Sequence, residues 1–279
     1  MKATSNLFEI RSLRWRDPKL TWGLVPTMGA LHRGHESLIR RAKAENDKVA
    51  VSIFVNPLQF NNPVDFNAYP VAIEEDLKIL KEEKVDMVWT PDKIDIYTPD
   101  FQTTIQVERI AAPLEGITRP GHFKGVATIV SLLFNVIQPH RAYFGQKDAQ
   151  QLLVIKQMVK DLKFNLEIVS CPTIREADGL AISSRNRNLN AGGRKQAVCL
   201  FNALSQAKKL IEAGERKAEK IKTIMRETIE SYSMAKIDYV SIANPLTLVE
   251  ADTIDGNILI SLAVYIENTR LIDNMTMEI

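Results

Sequence analysis

Along roughly the first 170 residues the apolar positions switch repeatedly between two spacings. Compact runs rich in β-branched residues read as buried strands: TWGLVP (21–26), VAVSIFVNP (49–57), VDMVWTP (85–91), RAYFG (141–145) and FNLEIVSCP (164–172). Between them lie stretches with apolar residues three and four apart, which read as helices. These are GHESLIRRAKAEN (34–46), AIEEDLKILKEEK (72–84) with Ile73, Leu77 and Leu80 on one face, KGVATIVSLLFNVIQP (124–139) stopped by Pro139, and DAQQLLVIKQMVKDL (148–162). Strands alternating with helices predict an α/β fold on a doubly wound parallel sheet.

The pattern then changes. AGGRKQAVCLFNALSQAKKLIEAGE and RKAEKIKTIMRETIESYSM read as two successive helices. KIDYVSIANP (236–245) and NILISLAVYIEN (257–268) follow as strands, separated by a turn-rich stretch holding Asp255-Gly256. Helices followed by strands predict a smaller C-terminal α+β domain. The boundary falls within 173–190, and a division into residues 1–175 and 176–279 is expected.

Length and composition narrow the class without changing this picture. A chain of 279 residues has room for one large domain or two ordinary ones. At 45% hydrophobic and 25% charged it is ordinary globular protein. A net charge of +2 gives no reason for a broad nucleic-acid or membrane surface, but leaves room for a local basic pocket. Cys171 and Cys199 fit neither a disulfide framework nor a zinc pattern and are expected as buried thiols. MKATSNLFEIRSLRW has no apolar signal core, and ATIVSLLFNVI is about half a membrane span. A soluble cytoplasmic protein with neither nucleic acid nor membrane as partner is expected.

The candidate chemistry clusters at the carboxyl ends of the predicted strands, where doubly wound sheets bind ligands. VPTMGALHRGH joins the first strand to its helix. Gly29 and Gly34 permit tight turns there, and the free N–H groups and dipole of a helix start suit an anion. His32 and His35 can donate to phosphate oxygens, and a protonated histidine would stabilise charge between phosphates. HRGHE resembles the H-x-x-E-H zinc signature only loosely, because Glu36 follows His35, and no other His or Cys stands at ligand spacing. Asn56 and Gln59 in FVNPLQF could orient a small polar substrate; an Asn-Pro turn without a role fits equally well. RPGHFKGV offers Arg119, His122 and Lys124 near another helix start, or a Pro-Gly turn with solvated charges. FGQKDAQQ offers Lys147 for phosphate and Asp148 as a cap or a ribose ligand. READGLAISSRNRNL sets two hydroxyls and a guanidinium, Ser183, Ser184 and Arg185, in one loop suited to a polyphosphate, or is a polar linker. Neither a P-loop nor a G-x-G-x-x-G is present.

A histidine, one residue, glycine and histidine after a first strand, with a Ser-Ser-Arg loop far downstream, resembles the nucleotidylyl-transferase site plan. PTMGALHRGH, FVNPLQF, RPGHFKGVATIV, AYFGQKDAQQ and DGLAISSRN, in that order, resemble the pantoate–β-alanine ligase family across nearly the whole chain. The resemblance implies a Rossmann-like first domain and a C-terminal domain that closes over the active site. It implies a homodimer and, as small-molecule substrates, ATP, pantoate and β-alanine, with Mg2+ on the polyphosphate. Pantoate would be activated as an acyl adenylate and then captured by β-alanine, releasing AMP. His32, His35, Lys147, Ser183, Ser184 and Arg185 are implied as the catalytic set. ATP contacts are implied at Met28, Gly29, Ala30, Leu31, His32, Arg33, Gly34 and His35, and at Gly145, Gln146, Lys147 and Asp148. Ile174 would meet adenine through its backbone, and Ile182 to Arg185 would close over the phosphates. Gln59 would touch pantoate and β-alanine, with Gln151, Asn56, Tyr69 and Arg119 in the same pocket.

Gln146 stands where the family usually has an acidic residue, Ala149 replaces a bulkier one, and Ile182 replaces Leu or Met. None of these removes a charge-bearing catalytic group. Glu75 and Asp76 are candidates for the metal, but also fit as exposed carboxylates of an amphipathic helix. Two rival readings remain: another nucleotidyl transferase acting on a phosphorylated acceptor, which would not need Asn56, Gln59 and Gln151, and a nucleotide-binding module without activity.

Overall fold

The computed structural model describes residues 1–61 and 63–279, with only the backbone at positions 64 and 65. Two compact units emerge, one of residues 1–146 and 150–172, the other of 147–149 and 173–279. The boundary in the chain thus falls at Pro172/Thr173 instead of 175/176, and Lys147–Ala149 groups with the second unit.

The first unit runs β1 (Lys2–Thr4), α1 (Leu7–Trp15), β2 (Trp22–Thr27), α2 (Arg33–Glu45), β3 (Lys48–Ile53), α3 (Pro63–Asn67), α4 (Ile73–Glu82), β4 (Met87–Trp89), α5 (Lys93–Ile96), α6 (Glu115–Thr118), α7 (His122–Ile137), β5 (Arg141–Gly145), α8 (Ala149–Leu162) and β6 (Glu167–Cys171). Its sheet is parallel throughout, in the order β1-β4-β3-β2-β5-β6. From β2 the chain winds one way to β3 and β4, and from β5 the other way to β6. The switch point therefore lies between β2 and β5, where ligands bind in such sheets. Leu24, Val25, Ala50, Val51 and Val88 are buried, which is why these strands read as continuous apolar runs. The same logic explains α7, apolar nearly all round because nearly all of it is buried.

Some elements depart from the expected pattern. α4 turns Asp76 and Leu80 into the protein and leaves Ile73 exposed, so its buried face is rotated from the expected Ile73-Leu77-Leu80 stripe. α1 lies outside the expected elements; Asn6 caps it by accepting from the N–H groups of Phe8 and Glu9.

His140 extends the junction of β2 and β5. Its N–H donates to the Trp22 carbonyl at 2.8 Å, and its Nδ1 accepts from the Trp22 N–H at 2.9 Å. Burial, then the charges of Arg14 and Arg141, hold the imidazole below its usual range, against a smaller opposite pull from Asp47. The unfolded chain, titrating near pH 6.5, then takes up a proton that the folded chain refuses. Its contribution to stability is present above about pH 6.5 and is lost as the pH falls toward the lower folded value. We expect stability from denaturant unfolding to decline between about pH 7 and 5.5, and His140→Asn, whose amide oxygen can still accept from Trp22, to flatten that slope. Equal slopes in both proteins would clear His140.

The second unit carries α9 (Ala191–Gln196), α10 (Cys199–Glu212) and α11 (Ala218–Glu230), then β7 (Ala235–Ala243), β8 (Ile258–Ile266) and β9 (Thr269–Met277). The strands form an antiparallel sheet in the order β7-β8-β9. Leu204, Ile221, Met225, Ile260, Leu262 and Val264 fill the core beneath it. The expected single helix over 191–215 is broken between α9 and α10, and β9 is a third strand beyond the expected two. Both cysteines are buried free thiols, as expected, and burial pushes Cys199 up to about 12.

Candidate active site

In the first unit the segment after β2 is shaped from below. The Thr27 hydroxyl donates to the Ser52 carbonyl on β3 at 2.7 Å and accepts from the Gly29 N–H at 3.2 Å. Ala30 sits at φ 50°, a left-handed conformation costly for a residue with a Cβ. Asp76 supports it: Oδ2 accepts from the Ala30 N–H at 2.9 Å and Oδ1 from the Leu31 N–H at 2.7 Å. The carboxylate is 2% exposed, so it is not the solvated acid its Glu-Glu-Asp context suggested. Two N–H groups expected to meet a ligand anion already hold an internal one.

His32 is the N-cap of α2, its Nδ1 accepting from the Gly34 N–H at 3.1 Å. A Cβ at position 34 would lie 2.9 Å from the His32 ring, so glycine is required for this approach. With Nδ1 an acceptor, the ring proton of His32 sits on Nε2, and His32 is a neutral donor. His35, in the first turn, stacks on His32 with ring centroids 4.0 Å apart. The pair thus presents polar ring atoms at a helix start, on the switch-point loop.

The amides form a second cluster in this unit. Asn56 is 1% exposed and Gln59 7%. The Gly125 carbonyl can only accept and the Leu58 N–H can only donate, which fixes the Asn56 amide: Nδ2 faces Gly125 at 3.0 Å and Oδ1 faces Leu58 at 3.3 Å. A Cβ at Gly125 would strike the Leu58 carbonyl at 2.3 Å, so α7 can approach this closely only through glycine. Tyr97 donates to Asn56 Oδ1 at 2.7 Å, and burial raises its phenol so that it stays a donor. The remaining Asn56 proton goes to Gln59 Oε1 at 3.1 Å. Asn56 is therefore spent on the protein. Gln59 Nε2 meets Met28 Sδ at 2.9 Å, which ties the amide cluster to the histidine loop.

Arg119 and His122 hold the same segment from α6 and α7. His122 Nδ1 stands 2.8 Å from the Gln59 carbonyl, which fixes its proton there, and Arg119 Nη1 faces His122 Nε2 at 3.1 Å. Arg119 also pairs with Glu115 and reaches the Gln59 carbonyl at 3.4 Å. Its guanidinium supports Gln59 from behind. Tyr69 packs edge-on against Phe60, next to Gln59. Gln151 lies half-buried in the first turn of α8, beyond Gly145 and Gln146 at the end of β5.

The second unit holds the other polar group. Residues 174–182 form a tight hairpin: Ile182 N–H donates to the Ile174 carbonyl at 2.9 Å and Glu176 N–H to Leu180 at 2.8 Å. Ser183 follows and caps a 3-10 turn, Ser184–Asn188, by accepting from the Arg185 N–H at 3.3 Å. Its hydroxyl proton can still donate. Lys147 and Ser183 line one small cavity together with Asn186 and Asp273. Arg175, at the root of the hairpin, makes a bidentate pair with Asp273 at 2.6 and 2.9 Å, and Asn274 Nδ2 donates to the Lys147 carbonyl at 2.8 Å.

Sequence reasoning missed Tyr97, the function of Asp76 and the β9 pair Asp273-Asn274. Among the described residues no group of three or more His, Cys, Asp or Glu is placed to hold a metal. Asp76 is turned into the protein, each oxygen accepting a backbone N–H, and Glu75 is exposed. No helix among the described residues is long and apolar enough to cross a membrane.

Residues 2–276 match the family model for pantoate-beta-alanine ligase. A pantothenate synthetase of Roseiflexus sp. (strain RS-1) is 51% identical over 278 residues, all of both chains. The crystal structure of pantoate-beta-alanine ligase from Thermus thermophilus superposes with a TM-score of 0.94 at 43% identity, covering 99% of each chain. That of the Francisella tularensis ligase, complexed with beta-gamma ATP and beta-alanine, gives a TM-score of 0.82 at 39% identity, covering 99% of this chain and 97% of that one. A match over the full sheet, the helical second unit and every motif above leaves one assignment: the chain belongs to the pantoate–β-alanine ligase family.

Proposed function

We propose that this chain condenses pantoate with β-alanine at the expense of ATP, giving pantothenate, AMP and pyrophosphate. The observation that carries the reading is the match of residues 2–276 to the ligase family. The pantoate carboxylate attacks the α-phosphorus and expels pyrophosphate, giving pantoyl adenylate. The β-alanine amine then attacks the acyl carbon, the C–O bond to AMP breaks, and the amine loses a proton. Adenylation is needed because a carboxylate is a poor acyl donor, whereas AMP leaves readily.

Each group has a part in this reading. The start of α2, with His32 as neutral Nε2–H donor and His35 beside it, stabilises charge building on the α-phosphate and bridging oxygens. Lys147, Ser183, Ser184 and Arg185 hold the polyphosphate. Met28 to Gly34, Gly145, Gln146, Asp148, Ile174 and Ile182 complete the nucleotide contacts. Gln59, kept as a donor by Asn56, binds pantoate oxygens together with Gln151, and Tyr69 and Arg119 shape the pocket. ATP would enter as its magnesium complex, in which the ion would neutralise charge on the polyphosphate. A cytoplasmic homodimer completes the reading. β1 and β6 each pair on one side only in this sheet, and size-exclusion chromatography with light scattering reads the assembly.

Pyrophosphate release with ATP, measured with and without pantoate, tests the assignment. Release that requires pantoate, followed by AMP and pantothenate on adding β-alanine, is the expected result. Release only with a phosphorylated acceptor, or ATP binding without AMP formation in the full mixture, would overturn it. Gln59→Ala is expected to raise the KM for pantoate about tenfold, as for one lost hydrogen bond, with a smaller change for ATP. The opposite order would show the pocket misassigned.

A further inference from the structure

We infer that Asp273 and Asn274 on β9 are positioning residues that tie Lys147 and the Ser183–Arg185 arm to one strand of the second unit. The inference rests on the reading above, in which those four residues hold the polyphosphate of ATP.

The two ties are adjacent in sequence and reach different segments. Asn274 donates through Nδ2 to the Lys147 carbonyl at 2.8 Å, which fixes the backbone from which the lysine side chain springs. Asp273 takes the Arg175 guanidinium bidentately, at 2.6 Å to Oδ2 and 2.9 Å to Oδ1, and its Oδ1 also accepts the Asn274 N–H at 2.8 Å. Asp273 is 2% exposed, so the carboxylate is screened from water, and the two-point geometry fixes the guanidinium against it. Arg175 passes that order onward: Nη1 donates to the Gly179 carbonyl at 3.0 Å, clasping the tip of the 174–182 hairpin, and its guanidinium lies over the Phe201 ring at 4.9 Å. Nη2 returns to the Asn274 carbonyl at 3.4 Å.

This explains two facts that the reaction alone does not. Lys147–Ala149 groups with the second unit although the residues on either side group with the first. And β9 places a carboxylate and an amide at buried positions, where a strand over an apolar core would normally carry aliphatic residues. A buried polar group costs free energy unless it is hydrogen-bonded, and the Asp273 carboxylate and the Asn274 Nδ2 direct their bonds to the two segments that carry phosphate-binding side chains. A clamp held from one strand presents its cations at a fixed spacing, which a polyphosphate requires and a flexible pair of loops would not give.

Double-mutant cycles on the full chain test this. Asn274→Ala is expected to slow single-turnover adenylation about tenfold and raise the KM for ATP, with the KM for β-alanine nearly unchanged. On a Lys147→Ala background the same change is expected to add nothing. Arg175→Lys, which keeps the charge but loses the fork, runs the same cycle against Ser184→Ala. An Asn274 effect that persists in full beside Lys147→Ala, or no effect of Asn274→Ala in the otherwise native chain, overturns the inference alone. Unchanged adenylation in Lys147→Ala overturns the reading of Lys147 and the inference with it.

Discussion

His35→Ala is expected to lower the single-turnover rate of adenylation about 10²–10³-fold, the usual cost of losing one donor that acts on the transition state. The structure makes this residue difficult to replace. His35 stands in the first turn of α2, its ring 4.0 Å from that of His32, and His32 is already committed through Nδ1 to capping the helix. The cap would survive the loss of His35, so the loop should keep its shape while its chemistry fails. The loss should therefore appear in kcat far more than in the KM for ATP, because charge between the phosphates develops only as the bond breaks. His35→Asn, which keeps a donor on a shorter side chain, should recover part of the rate. Rapid-quench measurement of pyrophosphate in the first turnover decides the matter, and an unchanged rate would remove His35 from the mechanism.

Asp76→Ala should have the largest effect on stability among the site residues. It strips the acceptor from two buried N–H groups at once, and each unsatisfied group costs about 1–3 kcal/mol. A loss of about 3 kcal/mol follows, together with relaxation of Ala30 out of its left-handed conformation. The loop carries His32 and His35, so adenylation should fall as well, on the order of 10²-fold for a displacement near 1 Å. Asp76→Asn should lie between, since its carbonyl can still take one N–H while its NH2 faces the other. Calorimetry and single-turnover kinetics on the two variants should rank both losses as Ala, Asn, native. A variant at native stability with native adenylation would show that the carboxylate is not what holds the loop.

Much of the fold was legible because its strongest signals are physical and local. Strands buried on both faces are apolar throughout, as VAVSIFV is, and α7 is apolar nearly all round for the same reason. The first-unit site was half legible: the glycines, histidines and amides stand where strand ends meet helix starts. What stayed hidden was polar side chains used inward. Asp76 sits in a run of acids indistinguishable from a solvated helix face. Asn56 looked like a ligand contact because an amide spent wholly on its own protein has the same letter as one aimed at substrate. β9, with TRLIDNMTM, hides its strand character because Asp273 and Asn274 occupy buried positions and break the alternation. β1 is only three residues long and needs its neighbour β4 to exist at all.

The tie from Asn274 to Lys147 also spans 127 residues, which gives it a place in time. During synthesis the first-unit sheet is complete in sequence once β6 has been made, and domains tend to fold as units in the order they emerge. Lys147 would by then have been made, but without the strand that fixes its backbone. Closing so long a loop waits for β9, after α9 to α11 and the first two strands of its sheet. A nascent chain would therefore own its histidine pair well before the Lys147 backbone is fixed, and on the proposed assignment ATP would be held fully only once β9 has been made. Ribosome-stalled chains released before and after residue 277 should differ sharply in ATP retention.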